Sequence, residues 1–489
     1  MSAAHASRPA RGETAVNATL KRQIGLFQAT VLVVGLVIGS GVFFKPRAVF
    51  AAAGTPGLGL VAWAVGCLLT ICGALTIAEL GVAIPKAGGL FTYFRELLGD
   101  MAAFLFGWSQ VLIYYPAMSA ALVVTATTQM TTFIPMDDFT IKISAMLLLF
   151  MLMALNLIST KLTTKFSTLF NVAKLVPIGV IIIFGIIMGH QHTFHPMTPD
   201  NVTGGDMAAG FGAALLGVLF AFEGWIAASN MAGELRNPRK DYAKSLVAGL
   251  IIIMIAYLGV NVAVLNTLPF DQIVTSRTVV SDTAVVLFGK VGEWLIALGI
   301  VISIVGCEAS FLLTAGRLPY AMSRNGLMPA PKTFVAVDQK SGTPRNGIIL
   351  ETVLAAILVM IGSYDQLTDL LVFVNWMFFI VGIASVFILR RKRKDLINSG
   401  AYQVPFYPVV PVIGITGAGY VLVQTLVSGA ITSLIGLGLF WQEYPPTSSF
   451  EKWLAFPRSW TRNDRSSNRG TRVKFSGHSL NLTLLISCA

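Results

Sequence analysis

Three ionisable side chains, Lys174, Glu223 and Glu308, stand inside long apolar runs of this 489-residue chain. A charge at such a place costs about 3 kcal/mol even on the lenient insertion scale, so each needs a partner or a task. A fourth anomaly is neutral. In Val34-Gly35-Leu36-Val37-Ile38-Gly39-Ser40-Gly41-Val42-Phe43-Phe44, two glycines flank a serine near the start of the first apolar run. Glycine in a helix interior loses about 1 kcal/mol against alanine, and serine competes for backbone hydrogen bonds. A helix break is expected at Gly39 to Gly41. Its freed amides, at the head of a half-helix starting near Val42, suit an anion such as a carboxylate. The competing reading is a glycine notch for tight helix packing.

That chemistry is binding rather than bond-making. No glycine-rich phosphate loop follows a strand, no His/Glu pair has zincin spacing, and Ser40 has no base nearby in sequence. His190, His192 and His195 hint at metal, but they fall in a polar loop without an acidic motif and read as solvated residues. Cys67, Cys72 and Cys307 lie within apolar runs and Cys488 near the end, which is neither a disulfide framework nor a metal spacing. No enzyme activity, cofactor or metal is expected.

The elements that must position these residues follow from composition. Hydrophobic residues make up 55% and charged residues 12%, against roughly a quarter charged in soluble domains, and mean hydropathy is +0.74. The chain is an all-α polytopic membrane protein. With ~20 residues needed per crossing there is room for about twelve helices. The net charge of +12 lies mostly in the loops, where it sets orientation; the partner is the lipid bilayer and no nucleic acid is implied. Met1 to Gln23 is polar and carries no cleavable signal, so the first helix is expected to direct insertion.

Spans are expected at about Leu26 to Phe50, Leu58 to Ile84, Ala103 to Met130, Ile141 to Ile158 and Phe166 to Met188. A second set runs at about Met207 to Gly233, Ala243 to Leu268, Val279 to Gly316, Gly347 to Ile361 and Leu367 to Leu389, followed by Tyr407 to Leu426 and Ala430 onward. Lysines and arginines collect in alternate loops: Lys21 and Arg22, Lys86 and Arg95, Lys161 and Lys165, Arg236 to Lys244, Arg317 to Arg345, and Arg390 to Lys394. That side is cytoplasmic. Lys45 and Arg47, just beyond the break, are the exceptions.

Two five-helix halves of opposite orientation make an inverted repeat, so a break in the first span predicts one in the sixth. Phe220-Ala221-Phe222-Glu223-Gly224-Trp225 places an acid and a glycine there. The expected organisation is a cytoplasmic tail at 1–23, a first repeat at 24–190 and a second at 207–394. Helix 11 and a truncated helix 12 follow at 405–441, then a polar tail at 442–489.

Glycines 35 to 41 with Phe43 and Phe44, Thr76-Ile77-Ala78-Glu79-Leu80, and Pro85-Lys86-Ala87-Gly88-Gly89-Leu90-Phe91-Thr92-Tyr93 resemble the amino acid-polyamine-organocation superfamily. So do Gly107-Trp108 with Tyr114 and Pro116, Ala173-Lys174-Leu175-Val176-Pro177, Gly233-Glu234-Leu235-Arg236-Asn237-Pro238 and Gly306-Cys307, which are similar to the L-amino acid transporter group with its bacterial serine/threonine exchangers. The likeness runs from about Ile24 to Gly436. It implies a LeuT-like core of two inverted five-helix repeats with discontinuous first and sixth helices, one or two extra helices, and sodium-independent exchange of neutral L-amino acids by alternating access. Carried over, amides of Ile38, Gly39, Ser40, Gly41 and Val42 would hold the substrate carboxylate. Carbonyls around Phe220, Ala221, Glu223 and Gly224 would take its ammonium, with Phe220 as aromatic gate. Lys174 would stand where sodium sits in sodium-coupled relatives.

Each assignment has a plainer counterpart. Lys174 lies about three turns from Lys161 and Lys165 and could snorkel to the interface. Glu223 departs from the family pattern. Ionised, it favours cationic or polyamine substrates; protonated, it permits proton coupling. Glu308 raises the same question, its plain role being a pair with Lys174 or contact with water. Glu79 and Glu234 are expected to pair with Arg236 or other loop cations, and Tyr114 and Tyr115 either line the site or pack. Asn201-Val202-Thr203 matches a sequon by chance.

Ala430 to Trp441 has about half the apolar length of a span, and Glu443-Tyr444-Pro445-Pro446 opens a Ser-, Arg- and Asn-rich tail that cannot bury a core. A frameshifted or recombined frame after about Leu439 is the reading adopted. The other is an interfacial tail anchored by Trp453, Phe456 and Trp460. The whole reads as a bacterial inner-membrane amino acid antiporter. Its alternatives are a proton-coupled or cationic amino acid/polyamine transporter, a membrane nutrient sensor and, least favoured, a membrane-embedded enzyme.

Overall fold

The computed structural model describes residues 22, 24–197, 204–276, 278–338, 341–361, 364–397 and 402–428. The expectations for residues 1–21, the Asn201 sequon, Arg277, the twelfth span and the tail lie outside the described residues. Among the described residues seven helices are long and apolar enough to cross a bilayer, eight when one bent pair counts as a single span, and there is no strand beyond an isolated Ile24–Leu235 bridge.

In chain order the helices are α1a (Leu26–Val37), α1b (Gly41–Ala53), α2 (Pro56–Ala83), α3 (Asp100–Met130), α4 (Asp138–Ile158) and α5 (Thr160–Met188). The second set comprises α6a (Gly204–Ala221), α6b (Trp225–Glu234), α7 (Pro238–Thr267), α8 (Val279–Ala315), α9 (Arg345–Ile361) and α10 (Tyr364–Lys392), and α11 (Val409–Ser428) follows. Local chemistry sets their starts. Thr55 accepts from Leu58 N at 3.3 Å ahead of Pro56, and Asp137 and Ser159 accept from Thr140 N and Leu162 N at the heads of α4 and α5.

Burial sorts the helices into a centre and a rim. The apolar windows of α3, α6 and α8 are 78% buried, whereas those of α4 and α5 are 22% and 28% buried. Leu147, Val176 and Ile187 on the rim helices point outward, the surface a bilayer would cover. Helices five apart in order lie side by side: α1b on α6a, α2 on α7, α3 on α8 and α4 on α9. Such pairing is what two five-helix halves related by a twofold axis produce.

The first and sixth spans are both interrupted. α1a and α1b meet at 45°, and α1b begins at Gly41, one residue earlier than expected. α6a ends at Ala221, Gly224 turns the chain at φ +109°, and α6b runs ten residues as a 3-10 helix. Poorer hydrogen-bond geometry makes so long a 3-10 run unusual, and such stretches mark hinges.

Candidate functional site

A helix that stops at mid-depth leaves its last carbonyls without amide partners. At the end of α1a those carbonyls are met by side chains from three other helices. Lys174 Nζ of α5 donates to Gly35 O at 3.0 Å and to Ile38 O. Cys307 Sγ of α8 donates to Leu36 O at 3.5 Å, and the Tyr257 hydroxyl of α7 lies 3.1 Å from Val37 O. Ser303 Oγ of α8 is 3.4 Å from both Ile38 O and Gly39 O. The break is therefore a donor-lined cage rather than a frayed end.

Lys174 can reach the cage because its own helix is distorted. Pro177 has no N–H for the carbonyl of Ala173 and crowds it, and regular helix gives way at Lys174, between Thr160–Ala173 and Leu175–Met188. The side chain is 0% exposed, so it does not reach the membrane edge. Two charge-assisted hydrogen bonds at about 1.5–3 kcal/mol each offset an insertion cost of about 3 kcal/mol. Glycine at 35 also lets α5 pack closely here, since a Cβ there would lie 2.0 Å from Asn171 Nδ2.

On the other side of the break the amides are only partly spent. Ile38 N donates to Val34 O and Gly39 N to Val37 O, both at 2.9 Å. Gly41 and Val42 are the first two residues of α1b, where amides have no intrahelical acceptor. Gly41 faces the end of α6a so closely that a Cβ would meet Ala221 Cα at 2.8 Å. Break and notch are thus one feature: the glycine that starts the half-helix also admits the second broken helix. Gly39 would place a Cβ 3.0 Å from Cys307 Sγ.

The sixth-helix break presents acceptors and an acidic side chain instead. Ala221 O accepts from Tyr257 OH at 2.7 Å, and Phe220 O accepts from Glu223 N at 2.9 Å. The Glu223 carboxylate, 6% exposed, accepts from Asn375 Nδ2 at 2.7 Å and from Tyr114 OH at 3.3 Å. Gln110 Nε2 supports Asn375 at 3.3 Å. Gln110 to Tyr114 form a π-helical turn in α3, just before Pro116 whose missing N–H loosens the ladder. Gly224 lets the chain pass Leu36 O, which a Cβ would approach to 2.3 Å. The Phe220 ring lies beneath Lys45 Nζ, 4.1 Å from its centroid.

The expected residues Gly41, Tyr114, Phe220, Ala221, Glu223, Gly224 and Lys174 thus gather around the two breaks. Glu308 does not join them. It is 0% exposed, neither oxygen has a hydrogen-bond partner, and Lys174 spends its bonds on the cage instead of on this acid. The two acids expected to pair with cations of the basic loops do so. Glu234 binds Arg317 at 2.6 Å, and Arg236 instead gives its amide to Ile24 O. Arg317 is 0% exposed: it opens the short helix Arg317–Arg324 just after α8, and Glu234 at the end of α6b holds it. Glu79 takes Arg390 of α10 at 2.7 Å.

Sequence reasoning missed Tyr257, Ser303 and Asn375, which are ordinary residue types in apolar helices and become visible only through the fold. Glu351 was missable less excusably: it is an acid inside the span at 347–361 and signals itself by the same rule as Glu308.

A family model described as amino acid permease matches residues 24–441. The chain is 38% identical over 423 residues to the serine/threonine exchanger of Bacillus subtilis (strain 168), covering 86% of this chain and 95% of that protein. It is 28% identical over 458 residues to the human large neutral amino acids transporter small subunit 2, covering 89% and 84%. The mouse Asc-type amino acid transporter 1 is likewise 28% identical, over 459 residues, covering 89% and 85%.

Proposed function

The chain belongs to the amino acid permease family, and on that premise we propose that it exchanges neutral L-amino acids of the serine/threonine kind across a bacterial inner membrane. Exchange proceeds without sodium, by rocking of one five-helix half against the other. The relatives named as a serine/threonine exchanger and as neutral amino acid transporters support the substrate class. The chemistry is transport, not catalysis.

The observation that carries this reading is the opposite polarity of two abutting breaks. The first offers the amides of Gly41 and Val42 at the head of α1b, favourable to a carboxylate. The second offers the carbonyl end of α6a and the Glu223 carboxylate, favourable to an ammonium. Gly41 against Ala221 brings the two within the length of one zwitterion. Lys174 Nζ fills the carbonyl cage of the first break with a donor of the protein itself, in the place a bound sodium ion would take. Sequence and fold support an N-terminus inside, because Ile24 is tied to Glu234 and Arg236 at the face where the basic loops gather.

A second reading, transport of cationic amino acids or polyamines, draws on Glu223 alone. Its two neutral donors leave it capable of a further charge-assisted bond. Counterflow in proteoliposomes decides between carriage and sensing. Labelled serine or threonine accumulating against unlabelled internal amino acid is the expected result, and saturable binding without flux would make the protein a sensor. Lysine or polyamine competing better than serine would favour the second reading.

A further inference from the structure

Glu308 of α8 and Glu351 of α9 are buried at 0% and 3% exposure, and neither belongs to the breaks. Glu351 Oε1 accepts from Ser119 Oγ of α3 at 2.6 Å; its Oε2 has no partner, nor has either oxygen of Glu308. Glu308 stands beside the same serine and beside Glu351, and α3, α8 and α9 pack on one another. Ser119 has a single proton to donate and gives it to Glu351. Three carboxylate oxygens are left facing protein with no donor.

From this geometry we propose that Glu308 and Glu351 form a proton-binding site, and that the exchange argued above proceeds while this site holds its proton. A buried carboxylate without a partner is among the costliest groups a fold can carry. Two adjacent ones relieve the cost by sharing a proton. The proton comes from water and adds to one carboxylate oxygen, so that a single new O–H supplies the donor the pair lacks. No other bond changes.

The surrounding charges are committed elsewhere. Lys174 of α5 donates to Gly35 O and Ile38 O, Lys45 of α1b lies on Phe220, and Arg47 donates to Val274 O at 3.3 Å. Arg317 and Glu234 hold each other, and Lys142 at the outer end of α4 donates to Met360 O. Asp138 heads α4 at the same outer end, and Arg345, at the start of α9, pairs with Asp338. The remaining titratable neighbours are weak acids with other partners: Tyr114 on Glu223, Tyr115 with Asn230, Tyr257 on the two breaks and Cys307 on Leu36 O.

The site is mechanically joined to the first break. Glu308 follows Cys307, which donates to Leu36 O, and lies about a turn and a half beyond Ser303, which reaches Ile38 O and Gly39 O. A displacement of α8 caused by charging the pair is therefore felt at the cage. Occupancy by a proton keeps α8 seated against α3 and α9 while the halves rock.

The test uses the full chain in proteoliposomes, with labelled serine counterflow measured across a pH series equal on both sides. Exchange is expected to fall as pH rises, approaching tenfold per unit once the proton is lost. Glu308→Gln and Glu351→Gln carry a permanent donor in its place, so the ratio between low and high pH should collapse towards one. A flat wild-type profile, or variants that fall as the wild type does, would overturn the proposal. Infrared difference spectra compare the wild type with the Glu308→Gln, Glu351→Gln double variant: a carbonyl band of a protonated carboxylic acid that vanishes over the same pH range is expected in the wild type alone, and its absence at low pH, or its persistence in the variant, overturns the site. If no counterflow occurs at any pH, the exchange reading has failed, and the infrared titration still decides the proton site.

Discussion

The two interrupted helices are lined by side chains of opposite character, a lysine at the first and a glutamate at the second. At the end of α1a, Lys174 of α5 and Cys307 and Ser303 of α8 turn donors towards the carbonyls of residues 35–39, and the Tyr257 hydroxyl of α7 lies beside Val37 O. At the end of α6a Tyr257 OH donates to Ala221 O and Glu223 N to Phe220 O, and the neighbouring polar side chain is the acid Glu223. A break by itself attracts ions of both signs, since it exposes carbonyls on one side and amides on the other. The protein has satisfied the carbonyls of the first break and left its amides. It has left the second break with a surplus of acceptors. On the proposed reading, the difference teaches that what is stored inside each break, rather than the break itself, selects the end of the ligand that binds there.

Removing the stored cation is the strongest way to break that comparison. Lys174→Ala deprives Gly35 O and Ile38 O of their donor. Losing about 3 kcal/mol of charge-assisted bonding should slow counterflow on the order of a hundredfold while membrane insertion persists. Sodium, tested as a rescue, would enter the emptied cage. A well-expressed variant exchanging at the wild-type rate would remove the lysine from the account. Gly41→Val comes next. Its side chain must displace the Ala221 backbone, which a Cβ would meet at 2.8 Å, and overpacking of about 1–3 kcal/mol should weaken serine binding about tenfold or more. Calorimetry on the purified protein checks this, with normal affinity as the contrary result.

Glu223→Gln sharpens the comparison, because it keeps an acceptor for Asn375 and Tyr114 but removes the charge. Competition by lysine against serine uptake should weaken about tenfold, the value of one charge-assisted bond; unchanged competition would mean that Glu223 plays no part in charge selection. The smallest effect belongs to the residue the two breaks share. Tyr257→Phe loses a hydroxyl placed between Val37 O and Ala221 O, worth about 1 kcal/mol, and should cost about fivefold in turnover with protein abundance maintained. No loss would show that the breaks move independently.

What the sequence disclosed depended on whether a signal was local. Gly39 and Gly41 announce a break because glycine spacing acts on its own helix, and Lys174 stands out because a charge in an apolar run is anomalous anywhere. All-α architecture follows from hydropathy. Partners were not legible. Tyr257, Ser303, Cys307 and Asn375 look like routine helix residues, and only long-range packing points them at the breaks. Charge placed Arg317 among the basic residues between the eighth and ninth spans, where it lies, but not its full burial against Glu234. Glu351 lay within reach of the rule that found Glu308.

The central claim is that opposite ends of one zwitterion meet oppositely charged breaks, and density for the purified protein with serine bound tests it most directly. The account predicts the carboxylate on the amides of Gly41 and Val42 and the ammonium at the end of α6a near Glu223, with Lys174 still bonded to Gly35 O and Ile38 O. Serine found in the reverse orientation, or seated away from both breaks, would contradict it.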